Sequence, residues 1–183
     1  MSTDLPLAYR QNPRPVGFEV SFRLAGDRLV VDTGRREMEI ALAAVEQVRL
    51  TYETRSMAQG AYQTKLRTRD GTTVKLTSLS WKGMTDVRRQ DAEYGAFVRS
   101  LLAAVAAASP GARFVAGKPR LQWLAIAALA FFVWRALSAG AVTVALVGAG
   151  IAAVGIWQLE PMVRLNRPRE FAPQEAPRAL LPG

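Results

Sequence analysis

Residues 121–159 read LQWLAIAALAFFVWRALSAGAVTVALVGAGIAAVGIWQL, and Arg135 is their only charged residue. A bilayer core about 30 Å thick is crossed by roughly 20 helical residues. At about 1.5 Å per residue, one helix of this length would measure roughly 58 Å, which is too long for a single crossing. The stretch therefore predicts a transmembrane helical hairpin with spans at about 121–137 and 141–159 and a break near residues 138–140.

Four residues are predicted to anchor this hairpin at the membrane–water interface. Trp123 opens the first span, Trp157 closes the second, and Trp134 lies near the turn. Indole rings favour this boundary because one edge is apolar and the other carries an N–H. Arg135 is close enough to the end of its span for its long side chain to reach the headgroups.

The second span also carries a face of small residues at i, i+4 spacing: Ala141, Ala145, Ala149 and Ala153. Small residues let two helices approach closely, so that van der Waals packing holds them together. This face either packs on the first span of the same chain or contacts another subunit. In the second case the protein would be a homo-oligomer or a structural accessory subunit of a larger membrane complex.

Basic residues flank the stretch on both sides: Arg113, Lys118, Arg120, Arg164, Arg167 and Arg169. Because Lys and Arg are retained on the cytoplasmic side, both termini are expected there. The protein is thus expected to be a multi-pass membrane protein whose partner is the lipid bilayer. The formal net charge of +9 over 183 residues fits attraction to anionic headgroups.

Before this stretch, alternating apolar and polar residues predict about six strands. They lie at about Gly17–Ala25, Arg28–Thr33, Met38–Leu42, Glu46–Glu53, Ala61–Arg69 and Thr73–Leu79. In the first strand Phe18 is expected to face the core together with the later apolar residues. Asp70-Gly71 is a strong hairpin signal between the last two strands. Thr54–Gly60 is predicted to be a longer, flexible loop.

The apolar period becomes helical at Tyr94, Phe97, Val98, Leu101, Leu102 and Val105. This spacing predicts one long amphipathic helix over Asp86–Ala108, which Ser109-Pro110-Gly111 would end. The chain then divides into an extended segment 1–15, a folded domain 16–109, a linker 110–120, the hairpin 121–159 and a Pro/Arg-rich cytoplasmic tail 160–183. We expect the tail to be mostly disordered. The alternative is that it binds back onto the domain or onto a partner.

Four segments carry a resemblance to a known family: FEVSFRLAGDRLVV (18–31), IALAAVEQVRLTY (40–52), TKLRTRDGTTVKL (64–76) and AEYGAFVRSLLAAV (92–105). Their order resembles the pleckstrin-homology-like (PH-like) fold. With the hairpin, the chain is similar to small bacterial membrane proteins that join a PH-like domain to two transmembrane helices.

The resemblance implies an α+β fold, in which a small antiparallel β-barrel or sandwich is capped by one long C-terminal amphipathic helix and followed by a transmembrane α-helical hairpin. It also implies a bacterial inner (cytoplasmic) membrane protein with a cytoplasm-facing domain that binds a protein or an anionic lipid. The family has seven strands, one more than predicted here. The first inter-strand loop, Ala25–Arg28, offers one arginine, so specific phosphoinositide binding is not expected.

The sequence contains no histidine and no cysteine, which excludes a Ser-His-Asp triad and the usual zinc sites. No phosphate-binding glycine motif follows a predicted strand. The close acidic pairs Glu37/Glu39 and Asp91/Glu93 fit a solvated strand face and a helix start, respectively. We therefore predict a membrane-anchored binding or scaffolding module that is not an enzyme and uses no metal or cofactor.

Five basic residues are expected to face outward on neighbouring strands: Arg49, Lys65, Arg67, Arg69 and Lys75. Each charge near an anionic membrane surface contributes about 1 kcal/mol, and salt weakens it. These residues are predicted to bind anionic lipid or an acidic partner. The alternative is a solubilising sheet face with cross-strand pairs to Glu53 and others. Nucleic acid is not an expected ligand, since no aromatic–basic platform accompanies the charge.

Overall fold

The computed structural model describes residues 8–56, 59–84, 86–117 and 168–181, together with residues 131, 134, 135, 138, 143 and 146–150. The first strands are β1 (Ala8–Gln11), β2 (Val20–Ala25), β3 (Arg28–Asp32) and β4 (Glu37–Ala41). They form an antiparallel meander in this order, which we call the first sheet. Strict alternation places Phe22 and Leu24 of β2 in the core, opposite Val31 and Leu29 of β3.

A one-turn 3₁₀ helix, Leu42–Ala44, leads into a second sheet. Its strands are β5 (Val45–Ser56), β6 (Gln59–Thr68), β7 (Thr73–Thr77), β10 (Arg113–Ala116) and β11 (Arg169–Glu170). The order across this sheet is β11-β10-β5-β6-β7. Strand β10 runs parallel to β5, and all other neighbours are antiparallel. Between β7 and β10 the chain forms a small hairpin of β8 (Leu79–Trp81) and β9 (Val87–Arg89), and then helix α1 (Asp91–Ala108).

Helix α1 joins the two sheets through one continuous hydrophobic core. Its buried apolar residues are Tyr94, Phe97, Val98, Leu101, Leu102 and Val105. The Tyr94 hydroxyl is buried and lies 2.6 Å from the Thr64 hydroxyl, so its polar end is satisfied inside the core. Ser109 ends the helix, and its side chain donates a hydrogen bond to the Val45 carbonyl at 3.0 Å.

Side chains of β1 connect the first sheet to β7 by hydrogen bonds to its backbone. The Gln11 side-chain amide donates to the Lys75 carbonyl at 3.2 Å and accepts from the Thr77 N–H at 2.6 Å. The Tyr9 hydroxyl donates to the Thr77 carbonyl at 2.7 Å. One glutamine thus replaces two backbone hydrogen bonds that a further strand would make along β7.

Residues 168–181, which we call the C-terminal strap, pack back onto the domain. Strand β11 pairs with β10, and the Phe171 N–H donates to the Phe114 carbonyl at 3.1 Å. The 3₁₀ turn Pro173–Glu175 contacts α1, and the turn Arg178–Leu180 contacts β5. Leu180 and Leu181 belong to the core cluster. The tail is therefore ordered over these residues, and the alternative of binding back onto the domain is the one observed.

Several predicted elements are confirmed and others are corrected. The strands around residues 28–33, 46–53 and 61–69 and the turn at Asp70-Gly71 are observed. The loop predicted at 54–60 is wrong, because β5 and β6 extend into it: Thr54 pairs with Gly60 and Ser56 with Gln59. Phe18 does not face the core. It is exposed, and the Arg35 guanidinium lies over its ring at 4.9 Å.

The predicted helix over 86–108 begins five residues later than expected, at Asp91. Residues 87–89 form β9 instead, whose Val87 is opposite Trp81 of β8. The backbone N–H of Gln90 donates to the Ser78 carbonyl at 2.8 Å, which holds this position on the β8–β9 hairpin. The apolar period could not reveal this start, because it contains no residue before Tyr94.

The predicted fold class is wrong for the part of the chain that the structure describes. Strands are their dominant secondary structure, and no long C-terminal helix followed by a helical hairpin is found among them. Their longest helix, α1, carries Asp91, Glu93 and Arg99 and packs its apolar side on the sheets. No helix within the described ranges is long and apolar enough to cross a bilayer.

Because no helix within the described ranges could cross a bilayer, two further predictions are corrected. These are the multi-pass location in the inner membrane and the transmembrane character of the chain. The two predicted spans, at about 121–137 and 141–159, lie almost entirely outside the described residues.

Candidate functional site

The outer face of the second sheet brings four of the five predicted basic residues together. Arg49 is on β5, Lys65 and Arg67 are on β6, and Lys75 is on β7. Along each strand they alternate with the buried residues Val48, Leu50, Leu66, Val74 and Leu76. Because successive side chains of a strand point to opposite faces, burying the apolar set forces these cations outward. We call Arg49, Lys65, Arg67 and Lys75 the basic face.

The strand register aligns three of these cations in one row. Arg49 is directly opposite Lys65, and Lys65 is directly opposite Lys75. Adjacent strands lie about 4.8 Å apart, so the Cα atoms of the three cationic residues in this row span about 10 Å. Like charges directly opposite one another destabilise a sheet. The free domain therefore carries an electrostatic cost along this row.

Few partners within the domain offset this charge. Arg49 donates a hydrogen bond to the Gly117 carbonyl at 3.2 Å. Arg67 lies 3.8 Å from Glu46, but their side chains are 60% and 43% exposed, so solvent screens the pair. Among the described residues, neither Lys65 nor Lys75 has a carboxylate within 4.0 Å of its ammonium group.

The basic face borders a shallow concavity of about 380 Å³. Its lining consists of Gln47, Arg49, Thr51, Glu53, Gln63, Lys65, Arg67 and Lys75. Four cations against one carboxylate give the surface a positive potential, which attracts anionic groups. The amides of Gln47 and Gln63 add hydrogen-bond donors and acceptors beside the charges.

Arg69, the fifth predicted residue, does not line this concavity. It follows the end of β6 in the turn to β7, where its backbone N–H donates to the Ala44 carbonyl at 3.0 Å. The next residue, Asp70, organises the turn by accepting hydrogen bonds from the Thr68 hydroxyl and from the N–H and hydroxyl of Thr72. These bonds, led by the one from Thr68, lower the pKa of Asp70 because they favour its charged form.

Sequence reasoning missed the polar part of this surface. Gln47 and Gln63 share the outward side of their strands with the cations, so the same alternation contained the signal. The Gly117 carbonyl carried no local signal. It reaches Arg49 because β10 returns to the sheet parallel to β5, after α1.

The predicted membrane anchors and the predicted helix-packing face lie largely outside the described residues. Trp123, Trp157, Ala141, Ala145 and Ala153 are not described. Trp134, Arg135 and Ala149 have helical backbone and are exposed. The Trp134 ring lies 5.7 Å from that of Phe131, which is exposed as well.

Several acidic residues of the domain form ion pairs with arginines. Arg28 contacts Glu39 at 2.6 Å, and Arg88 contacts Glu93 at 3.4 Å. Arg89 contacts Asp91 at 2.7 Å, and this carboxylate raises the pKa of Arg89. Within the described ranges, no three carboxylates are grouped in a way that could hold a metal ion.

Comparisons with protein families, with characterised proteins and with solved structures found no match to this chain. The PH-like resemblance accordingly stays a prediction from the sequence.

Proposed function

We propose that this domain is a non-catalytic binding module whose basic face takes an acidic segment of a partner protein. The row Arg49–Lys65–Lys75 carries this proposal, because three aligned cations cost stability in the free domain. Carboxylates of a partner would offset that repulsion. The absence of histidine and cysteine from the sequence favours binding over catalysis.

An acidic protein segment fits the lining better than a lipid surface does. The concavity is lined entirely by polar and charged side chains, including Gln47, Gln63 and Glu53. Domains that settle on a bilayer gain much of their binding from apolar side chains that enter it. A peptide, in contrast, can pair its carboxylates with the cations and its backbone with the glutamine amides. Anionic lipid remains the competing source of negative charge.

The test measures binding of a fluorescent oligo-glutamate peptide to the full chain by anisotropy. Lys75→Glu reverses one charge of the row and is expected to weaken binding about tenfold, which corresponds to about 1.4 kcal/mol. Lys82→Glu is the matched control, because Lys82 is an exposed lysine in the β8–β9 turn and does not line the concavity. The control should bind like the wild type.

Raising the salt concentration should weaken the wild type more than Lys75→Glu, since screening acts on the interaction that the variant has lost. Equal losses in both lysine variants would show that net charge, and not the basic face, binds the peptide. The same variants are also tested with vesicles that contain phosphatidylglycerol. If the protein binds these vesicles through Lys75 but does not bind the peptide, the ligand of the basic face is a lipid surface and not an acidic protein segment.

A further inference from the structure

The C-terminal strap contacts the domain as a docked peptide does. Its first residues add a short antiparallel strand to β10, at Glu170 opposite Val115 and Arg169 opposite Ala116. The Phe171 ring then packs 6.1 Å from that of Phe114. Strand addition followed by side-chain anchors is a common way in which domains bind peptides.

A few anchors separated by exposed residues fix the rest of the strap. Leu180 and Leu181 are 1% and 4% exposed, and Pro177 is also buried. Between these anchors and Phe171, residues such as Gln174 and Glu175 are exposed. Prolines restrict the strap before it docks, which lowers the entropy lost on binding. This spacing differs from a core helix or strand, whose buried residues recur at a regular period.

The strap packs unevenly against the groove that holds it. A cavity of about 420 Å³ remains beside its first half, and Pro110, Phe114 and Phe171 are among the residues that line it. The second half is seated more deeply, with Leu180 beside β5. The groove therefore has one deep site for the leucine pair and one open site near the aromatic pair.

The chain connects the groove and the strap through a long segment. Ala116 and Arg169 are neighbours across two paired strands, yet residues 118–167 separate them in sequence. The contacts that seat the strap therefore join regions far apart in the sequence, and the strap of a second copy offers the same contacting residues. The same segment from a second copy can compete when the protein is concentrated.

We propose that the groove between α1, β5 and β10 is a peptide-binding site, and that it accepts the C-terminal strap of a second copy of this chain in place of its own. The occupant is thus residues 168–181 of the second copy, with Phe171, Pro177 and the leucine pair as its anchors. Exchange of straps between two copies would join them as a dimer. The contacts between the copies would be the same strap–groove contacts that each chain makes within itself.

The first experiment releases the strap in the full chain. Leu180→Asp combined with Leu181→Asp puts two charges on the anchors, while Ala179→Asp changes an exposed residue beside them. A fluorescent peptide of residues 168–181 should bind the released variant at least about tenfold more tightly than the wild type or Ala179→Asp, in which the tethered strap competes. Bound peptide should also raise the Tm of the released variant.

A folded released variant that fails to bind the peptide would overturn the groove as a binding site. If circular dichroism shows that this variant is unfolded, Leu181→Ala replaces it, and a peptide-dependent rise in Tm is again expected. The absence of that rise in Leu181→Ala has the same meaning.

The second experiment tests the second copy directly. Wild type and Ala179→Asp, refolded from urea at increasing concentration, should form a growing fraction of dimer by light scattering. The released variant should stay monomeric. A dimer fraction that is the same in the released variant, or that is zero in the wild type at all concentrations, would overturn strap exchange.

Discussion

The second sheet ends at β7 on one side and at β10, with its short partner β11, on the other. Different kinds of interaction hold the neighbouring segments against these two sides. On the β7 side, Gln11 and Tyr9 hydrogen-bond to the strand backbone. On the β10 side, the strap adds two paired residues and then covers the core with Leu180 and Leu181. One cover is polar and directional, and the other is mostly apolar.

The difference separates two contributions to a fold. Hydrogen bonds from Gln11 require one register between β1 and β7, but a satisfied buried hydrogen bond adds only about 1 kcal/mol net. A buried leucine contributes about 1.5–3 kcal/mol and tolerates small shifts of its surroundings. We therefore expect the strap to determine stability and the β1 side chains to determine alignment. Three substitutions test this comparison.

Leu180→Ala is expected to have the largest effect. The side chain is almost fully buried in the core, and a leucine-to-alanine change at such a site costs about 2–5 kcal/mol because it leaves a cavity. The free energy of unfolding is measured by urea denaturation. Leu180→Met keeps the volume and should lose less than about 1.5 kcal/mol. Equal stability of the two variants would mean that the strap contributes little to the fold.

Gln11→Ala is expected to have an intermediate effect. It leaves the Thr77 N–H and the Lys75 carbonyl without their partner in a buried or half-buried position, at a cost of about 1–3 kcal/mol. The control is Gln63→Ala, which removes a half-buried glutamine from the outer face and should change stability by less than about 0.5 kcal/mol. A loss with Gln11→Ala greater than that with Leu180→Ala would reverse the proposed order.

Asp70→Asn is expected to have the smallest effect. Asp70 lies in the turn that connects β6 directly to β7, so this variant changes neither of the two sides compared above. The pKa of Asp70 is lowered in the folded state, so its carboxylate stabilises the fold above the unfolded value of 3.8. This contribution is lost as the pH falls through the folded pKa. Wild type should therefore exceed Asp70→Asn in stability at pH 7, and the gap should narrow in acid. If the difference in stability between the two proteins does not depend on pH, the ionisation of Asp70 is not its cause.

The sequence predicted those parts of the fold that depend on local pattern. Strands β5 and β6 alternate apolar and polar residues over much of their length, and Gly71, at a φ of 87°, suits the turn that Asp70-Gly71 predicted. Strand β1 was missed because one of its two buried side chains is Gln11, which pattern analysis reads as exposed. The parallel pairing of β10 with β5 was missed because no local rule brings the chain back after α1.

The same division applies to the candidate site. Alternation placed Arg49, Lys65, Arg67 and Lys75 on one face, and the turn at Asp70-Gly71 then sets Lys65 opposite Lys75. Arg69 was included because it continues the alternation of β6, although the strand ends at Thr68. The groove for the strap depends on contacts between residues far apart in sequence, which composition and period do not encode.

The pairing of β10 with β11 makes the described domain discontinuous along the chain. In the sheet, Ala116 and Arg169 pair as the two arms of a hairpin do, although positions 118–167 lie between them in the sequence. A cut at the end of α1 would therefore divide one sheet between two fragments. In topological terms the second sheet is discontinuous along the chain, because its edge strand β11 comes from the C-terminal strap.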